Sequence, residues 1–259
     1  LKYHLKKSIK QKSAQQLFYY LNFFFQSKKR KKVLLSLYKV LGSSDQQLGF
    51  YKIYGFQKSQ IEKIPLFFEK RRINNFPVKK GNYFVILAQN RIDKGAHVIH
   101  EILKYLNKDI PVKIMFYDKN ERNRYLNSFP VVKPIIANSK FEIIYGKITG
   151  TNGGNIVSNC FAIINPTLWA TTTEYVLLET LGLGKPMIGF GVGIHKEILV
   201  DSYNGLICEP NNFKLMSEKI EQLYTDQNLY QTISRNAIKL FDKLTSDRKM
   251  KILLKNIFQ

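Results

Sequence analysis

From residue 83 onward, short apolar runs alternate with longer amphipathic stretches, and this rhythm constrains the fold more than any other feature of the chain. YFVILA (83–88), VKIMFY (112–117), FEIIYG (141–146), FAIINP (161–166), PMIGF (186–190) and GLICE (205–209) read as strands. Between them, KGAHVIHEILKYLN (94–107), NERNRYLNSF (120–129), the segment from Thr171 to about Leu181, and HKEILV (195–200) read as helices. FKLMSEKIEQLYTD and NLYQTISRNAIKLFDKL follow as two C-terminal helices. Strands buried on both faces appear as near-continuous apolar runs, and parallel neighbours need a crossover long enough to hold a helix. The pattern predicts an α/β fold, a doubly wound, Rossmann-like parallel sheet. Such sheets bind ligands at the carboxyl ends of their strands.

The first third has a different character. Of the net charge of +22, residues 1–80 hold +16, from 19 Lys/Arg against 3 Asp/Glu; the remainder, 22 against 16, holds only +6. A charge so localised points to an anionic partner for that segment alone. LFYYLNFFF (17–25) is far shorter than the ~20 residues a membrane span requires. With Lys10 and Lys12 before it and KKRKK (28–32) after it, it has the make-up of an element lying on an anionic membrane surface, assigned to residues 6–32. The same charges suit nucleic acid, but no recognisable nucleic-acid module accompanies them and none is expected as a partner. Leu34, Leu35, Leu37 and Tyr38 suggest one apolar helix face, VLGSS (40–44) a strand end, and Ser44 or Asp45 the cap of a helix that Gly55 stops. EKIPLFF (62–68) reads as extended, and RRINNFPVKKGN (71–82) has linker composition. Cys160 and Cys208 form neither a disulfide framework nor a metal cluster and read as buried thiols.

TTTEYVLLETLGLGKP (171–186) is the most informative stretch. Thr171-x-x-Glu174 has the spacing of a capping box, which explains Glu174 without any ligand. A helix beginning there would aim the N–H groups around Thr172 and Thr173 at whatever occupies the preceding strand's carboxyl end, and a phosphate suits that position. Glu179 lies roughly 12 Å further along the axis at about 1.5 Å per residue. A carboxylate within apolar YVLLETLG needs a partner, either an ion pair or the paired hydroxyls of a ribose. The glycine-rich GTNGGN (150–155) reads as an anion cradle or, more simply, as a flexible loop before a short helix.

These residues resemble the donor-binding segment of GT4-type retaining glycosyltransferases of the GT-B fold. Pro166-Thr167 stand at the family's Pro-Ser, Glu179 at the second Glu of Glu-x7-Glu, and Gly184-Lys185-Pro186-Met187-Ile188 at Gly-x-Pro-Val-Ile. Gly191, Gly193, Glu197 and Ile198 match the glycine loop, Asn204-Gly205-Leu206 the last element, and AQNRIDKGAHVIHEIL the upstream Gly-Arg-Leu…Lys-Gly segment, shortened between Arg91 and Lys94. The resemblance spans about residues 40–245. It implies a donor domain at 76–245 and a basic, mostly helical remnant of an acceptor domain at 1–75, with a C-terminal helix at 246–259.

The resemblance also implies chemistry. Such enzymes use no metal, and no Asp-x-Asp occurs in this chain. The leaving diphosphate must then be stabilised by fixed cations and helix dipoles, a role that falls to Arg91 and Lys94. Glu179 would hold the ribose, and Thr172, Thr173 and Tyr175 would approach the phosphates or the sugar; Glu174, Gly193 and His195 are further candidates. Thr171 stands where the family has the carboxylate that touches the transferred sugar, which leaves the catalytic residue unassigned. The donor would be UDP- or GDP-linked, with no cofactor, and the acceptor a glycan or a lipid-linked glycan. The expected setting is bacterial surface-polysaccharide assembly, in the cytoplasm and peripheral on the inner face of the membrane. A non-catalytic, transferase-like partner subunit is the alternative.

Overall fold

The computed structural model describes residues 26–64, 66, 68, 73, 77–107, 109–137, 141–148, 150–245, 251, 252, 255 and 256. The chain divides into two compact units between Lys63 and Ile64, earlier than the boundary expected between residues 75 and 76.

In the first unit a helix described over 26–35 (α1) is followed by β1 (Val40–Gly42), α2 (Asp45–Tyr54) and β2 (Ile61–Lys63). β1 and β2 pair in parallel around the α2 crossover, Val40 opposite Ile61. As expected, the Ser44 side chain caps α2 by accepting from the Gln47 N–H, and Gly55 ends it. The expected apolar helix face does not continue past Leu35. Gln60 Nε2 donates to the carbonyls of Leu35 and Leu37 at 3.0 and 2.6 Å, closing the helix end from a distant part of the unit and leaving Tyr38 80% exposed. Of the stretch assigned to a membrane surface, residues 6–25 lie outside the described residues; 28–32 are exposed on α1.

The second unit is built on one parallel sheet in the order β5-β4-β3-β6-β7-β8. Its strands are β3 (Phe84–Leu87), β4 (Val112–Phe116), β5 (Phe141–Tyr145), β6 (Ala162–Asn165), β7 (Met187–Phe190) and β8 (Leu206–Cys208), each within a residue or two of its sequence expectation. The helices are α3 (Ile99–Tyr105), α4 (Lys119–Ser128), α5 (Lys133–Ile136), α6 (Thr151–Ser158), α7 (Tyr175–Gly182), α8 (Ile194–Ile198), α9 (Phe213–Thr225) and α10 (Gln227–Leu244). The expected final helix appears only at 251–252 and 255–256, the rest of 246–259 lying outside the described residues. Strand alternation sends successive side chains to opposite faces. Phe84, Ile86, Ile114, Ile164 and Ile188 therefore join α3, α4 and α9 in one core. Val85, Met115, Ile163 and Met187 join α6, α7 and the far end of α10 in a second core on the other face.

Two local expectations differ from what is found. GTNGGN is not a loop; residues 151–155 are the first turns of α6, because a Cβ at Gly153 would come within 2.0 Å of the Lys147 carbonyl oxygen and the glycines admit that contact. The helix expected from residue 94 begins with two short 3-10 turns and becomes regular only at Ile99. The Tyr125 hydroxyl, fully buried, donates to the Ala96 carbonyl at 2.9 Å and holds those turns against α4. Tyr125→Phe leaves that carbonyl without its partner, and urea denaturation is expected to show a loss of about 1–2 kcal/mol with an unchanged slope.

Candidate functional site

The strand order reverses between β3 and β6, so their carboxyl ends open the crevice where open α/β sheets take ligands. The segments that follow these strands are bound to each other through the backbone. The Asp93 carbonyl accepts from the N–H groups of Leu168 and Trp169 at 3.1 and 3.0 Å and from Thr167 Oγ1 at 3.2 Å. Gly95 has φ +76°, and a Cβ there would lie 2.0 Å from the Pro166 carbonyl oxygen, so glycine alone allows this close approach. Gly193 does the same from the far side. At φ +50° its missing Cβ leaves room for the Thr171 backbone, and the next N–H, of Ile194, donates to the Thr171 carbonyl at 2.8 Å.

At the centre of these three segments sits the Glu174 carboxylate, 7% exposed. Its Oε1 accepts from Lys94 Nζ at 2.9 Å, and its Oε2 from Asn165 Nδ2 at 3.1 Å and His195 Nε2 at 2.5 Å. Lys94 follows β3, Asn165 ends β6, and His195 lies in α8 behind β7. Burial alone would raise the carboxyl's pKa. The His195 hydrogen bond and charge, followed by Lys94, outweigh it and hold the group down to about 2. His195 is wholly buried and turns its other ring nitrogen to the Phe190 carbonyl at 3.3 Å, so both nitrogens are taken up inside the protein.

The capping box does not form. Thr171 Oγ1 donates to the Thr173 carbonyl at 2.6 Å, α7 begins only at Tyr175, and the Glu174 side chain makes no bond to the helix amides. The stretch from Thr171 to Glu174 is an irregular link, with Thr172 half-buried and Thr173 exposed; Tyr175, half-exposed, lies with its ring 6.3 Å from that of Phe68. Arg91 is exposed and held in a fork by its neighbour Asp93, with Nε to Oδ1 at 3.0 Å and a terminal nitrogen to Oδ2 at 2.5 Å. That hydrogen bond lowers the Asp93 pKa.

Glu179, 3% exposed, lies on the inner side of α7 and borders a cleft of about 370 Å³. The cleft is walled by Leu87, Ala88 and Gln89 at the end of β3 and just beyond it, Met115 and Tyr117 at β4, and Gly146 and Lys147 beyond β5. Lys147 Nζ sits 4.5 Å above the Tyr117 ring. Arg91 and Lys94, which follow β3, and Glu174 and Glu179, which follow β6, thus share one end of the sheet. Sequence reasoning missed Asn165, whose signal was its place just before Pro166, and Asp93, which occupies the shortened spacing between Arg91 and Lys94. It also missed Tyr117 and Lys147, which nothing local distinguishes. Trp169, the only tryptophan of the chain, is 59% exposed on the loop clamped to Asp93. Among the described residues, no three His, Cys, Asp or Glu side chains are grouped to hold a metal ion.

A parallel sheet of this kind, flanked by helices, is shared with solved glycosyltransferases of the GT-B fold. Residues 159–240 match the family described as glycosyl transferases group 1, which bears out the GT4-type resemblance. Over 84 residues, 32% of this chain and 24% of the other, the chain is 34% identical to an uncharacterized glycosyltransferase of Methanocaldococcus jannaschii; the match thus takes in about a quarter of that relative. Among solved structures, Anabaena HepE in complex with UDP and glucose superposes with a TM-score of 0.73 at 12% identity, over 90% of this chain and 67% of that one. Sucrose-phosphate synthase from Thermosynechococcus elongatus gives 0.72 at 13%, over 88% and 59%, and a glycosyltransferase from Rickettsia africae 0.73 at 17%, over 88% and 65%. These likenesses establish the shared fold.

The depressed carboxyl of Glu174 has a consequence for acid stability. A group held below its unfolded value contributes stability that is full above the unfolded pKa and disappears as pH falls through the folded one. The window therefore runs from the ordinary 4.5 down to about 2. Wild-type protein is expected to lose its advantage over Glu174→Gln, roughly 3 kcal/mol at neutral pH, as pH falls through that window. Parallel denaturant titrations at stepped pH measure the difference.

Proposed function

We propose that this chain is the nucleotide-sugar-binding part of a metal-independent, retaining glycosyltransferase that moves a sugar from a UDP- or GDP-linked donor to a glycan or lipid-linked acceptor. The observation that carries this reading is the pairing of Lys94 with Glu174 at the same end of the sheet as the cleft that Glu179 borders. In that arrangement the nucleoside occupies the cleft, its ribose hydroxyls reach Glu179, and the diphosphate lies toward Lys94 and Arg91. An ammonium and a guanidinium offset the negative charge that develops as the glycosidic bond to the diphosphate breaks. Thr172, Thr173 and Tyr175 lead into α7 at the same place and border the sugar. Thr171 offers only a hydroxyl where the family has a carboxylate, so positive charge on the transferred sugar is met by other groups, by the acceptor side, or not at all. The complexes of HepE with UDP and with UDP-glucose support a nucleotide-sugar partner.

The basic first unit suits a peripheral role at the cytoplasmic face of a membrane, with a lipid-linked acceptor in surface-polysaccharide assembly. No helix among the described residues is long and apolar enough to cross a membrane. A second reading, a non-catalytic transferase-like subunit, draws on Thr171.

The test begins with thermal unfolding in the presence of UDP, GDP and their sugars, since a ligand that binds only the folded state raises the melting temperature. Glu179→Ala and Arg91→Ala are each expected to weaken the stabilising nucleotide by about tenfold, or ~1.4 kcal/mol. Unchanged affinity in both variants would refute this placement of the donor. Turnover of a radiolabelled donor with lipid extract separates enzyme from silent subunit.

A further inference from the structure

Glu174 is an unusual feature of this crevice: a carboxylate, nearly inaccessible, at the one place where a polyanion is to be received. Its two oxygens take three donors from three different segments, Lys94, Asn165 and His195. With both oxygens engaged by these donors and the residue 7% exposed, Glu174 does not replace the missing carboxylate at Thr171 by touching the sugar. We infer that Glu174 is a positioning residue for the donor, a buried anchor that fixes the Lys94 ammonium at the end of β3. The inference rests on the donor reading given above.

Hydrogen-bond geometry explains how an anion can serve an anion-binding site. Glu174 turns Oε2 to Asn165 and His195, and Oε1 accepts from Lys94. An ammonium carries three N–H donors, and Glu174 engages one of them. A lysine side chain is otherwise a flexible stem that loses considerable rotamer freedom when it grips a phosphate. Here that ordering is already done when the ligand arrives. Replacing Glu174 by glutamine removes the charged anchor, and the loss falls on the orientation of Lys94.

The experiment is a double-mutant cycle read by calorimetric titration with UDP, UMP and uridine, and with the guanosine series in parallel. Glu174→Gln is expected to weaken the diphosphate about tenfold, the monophosphate less, and the nucleoside not at all. In a Lys94→Met background, the same substitution is expected to change none of the three affinities. An equal loss for diphosphate and nucleoside, or an equal loss with and without Lys94, would show a general structural role and overturn the inference. If Glu174→Gln does not fold, Glu174→Asp takes its place in the same cycle: it keeps the charge but is one methylene too short to span the same donors, and the same dependence on Lys94 is expected. A wild-type protein that binds neither diphosphate overturns the donor reading and this inference together; one that binds, but whose cycle is additive, overturns this inference alone.

Discussion

The hydrogen-bonded grip of one buried carboxylate on three chain segments is what makes a site of this sheet end. β3, β6 and β7 are held in register by their ladder, but a ladder says nothing about the loops beyond it. Glu174 sets those loops, joining the residues after β3 to the end of β6 and to α8. Without a shared anion, the Lys94 ammonium and the buried His195 Nε2 would each lack this partner near a protein interior, where removing a polar group from water is costly. With it, each has a partner, and the three segments hold one geometry. The backbone contacts at Gly95 and Gly193 supply the close approach that this arrangement needs.

Most of the sheet was legible in the sequence because its signals are local. A run such as Val112–Phe116 is apolar at nearly every position, and only a strand buried on both faces uses such a run. The same held for α2, where Ser44 and Gly55 mark both ends. Reading failed where a distant residue decided the outcome. Thr171 to Glu174 carries a valid capping signal, but Lys94 lies 80 positions away in sequence and His195 another 21 beyond Glu174, and both compete for the carboxylate that the cap would have used. Two side-chain partners in a buried setting, one of them an ammonium, outweigh one neutral amide. The end of α1 shows the same thing on a smaller scale, since Gln60 takes carbonyls that the apolar pattern assigned to a longer helix.

The candidate site was legible in its parts rather than in its connections. Arg91, Lys94 and Glu179 could be singled out by their place beyond strands or within an apolar helix. That Arg91 is forked onto Asp93 could not be read, because the shortened spacing between Arg91 and Lys94 gives no hint of the turn it adopts. Tyr117 and Lys147 lie beyond different strands and meet only because β4 and β5 are neighbours. The sequence places chemistry on strand ends, and the topology decides which of those ends meet.

Trp169 stands alone of its kind in the chain, its indole open to solvent while its own N–H and carbonyl are tied to Asp93 and Thr171. Indole emission from this protein therefore arises at a single address, on the loop that borders the crevice. Whatever wets, dries or displaces that loop alters the colour and brightness of the whole molecule, so the protein carries its own optical probe of occupancy without any label being added.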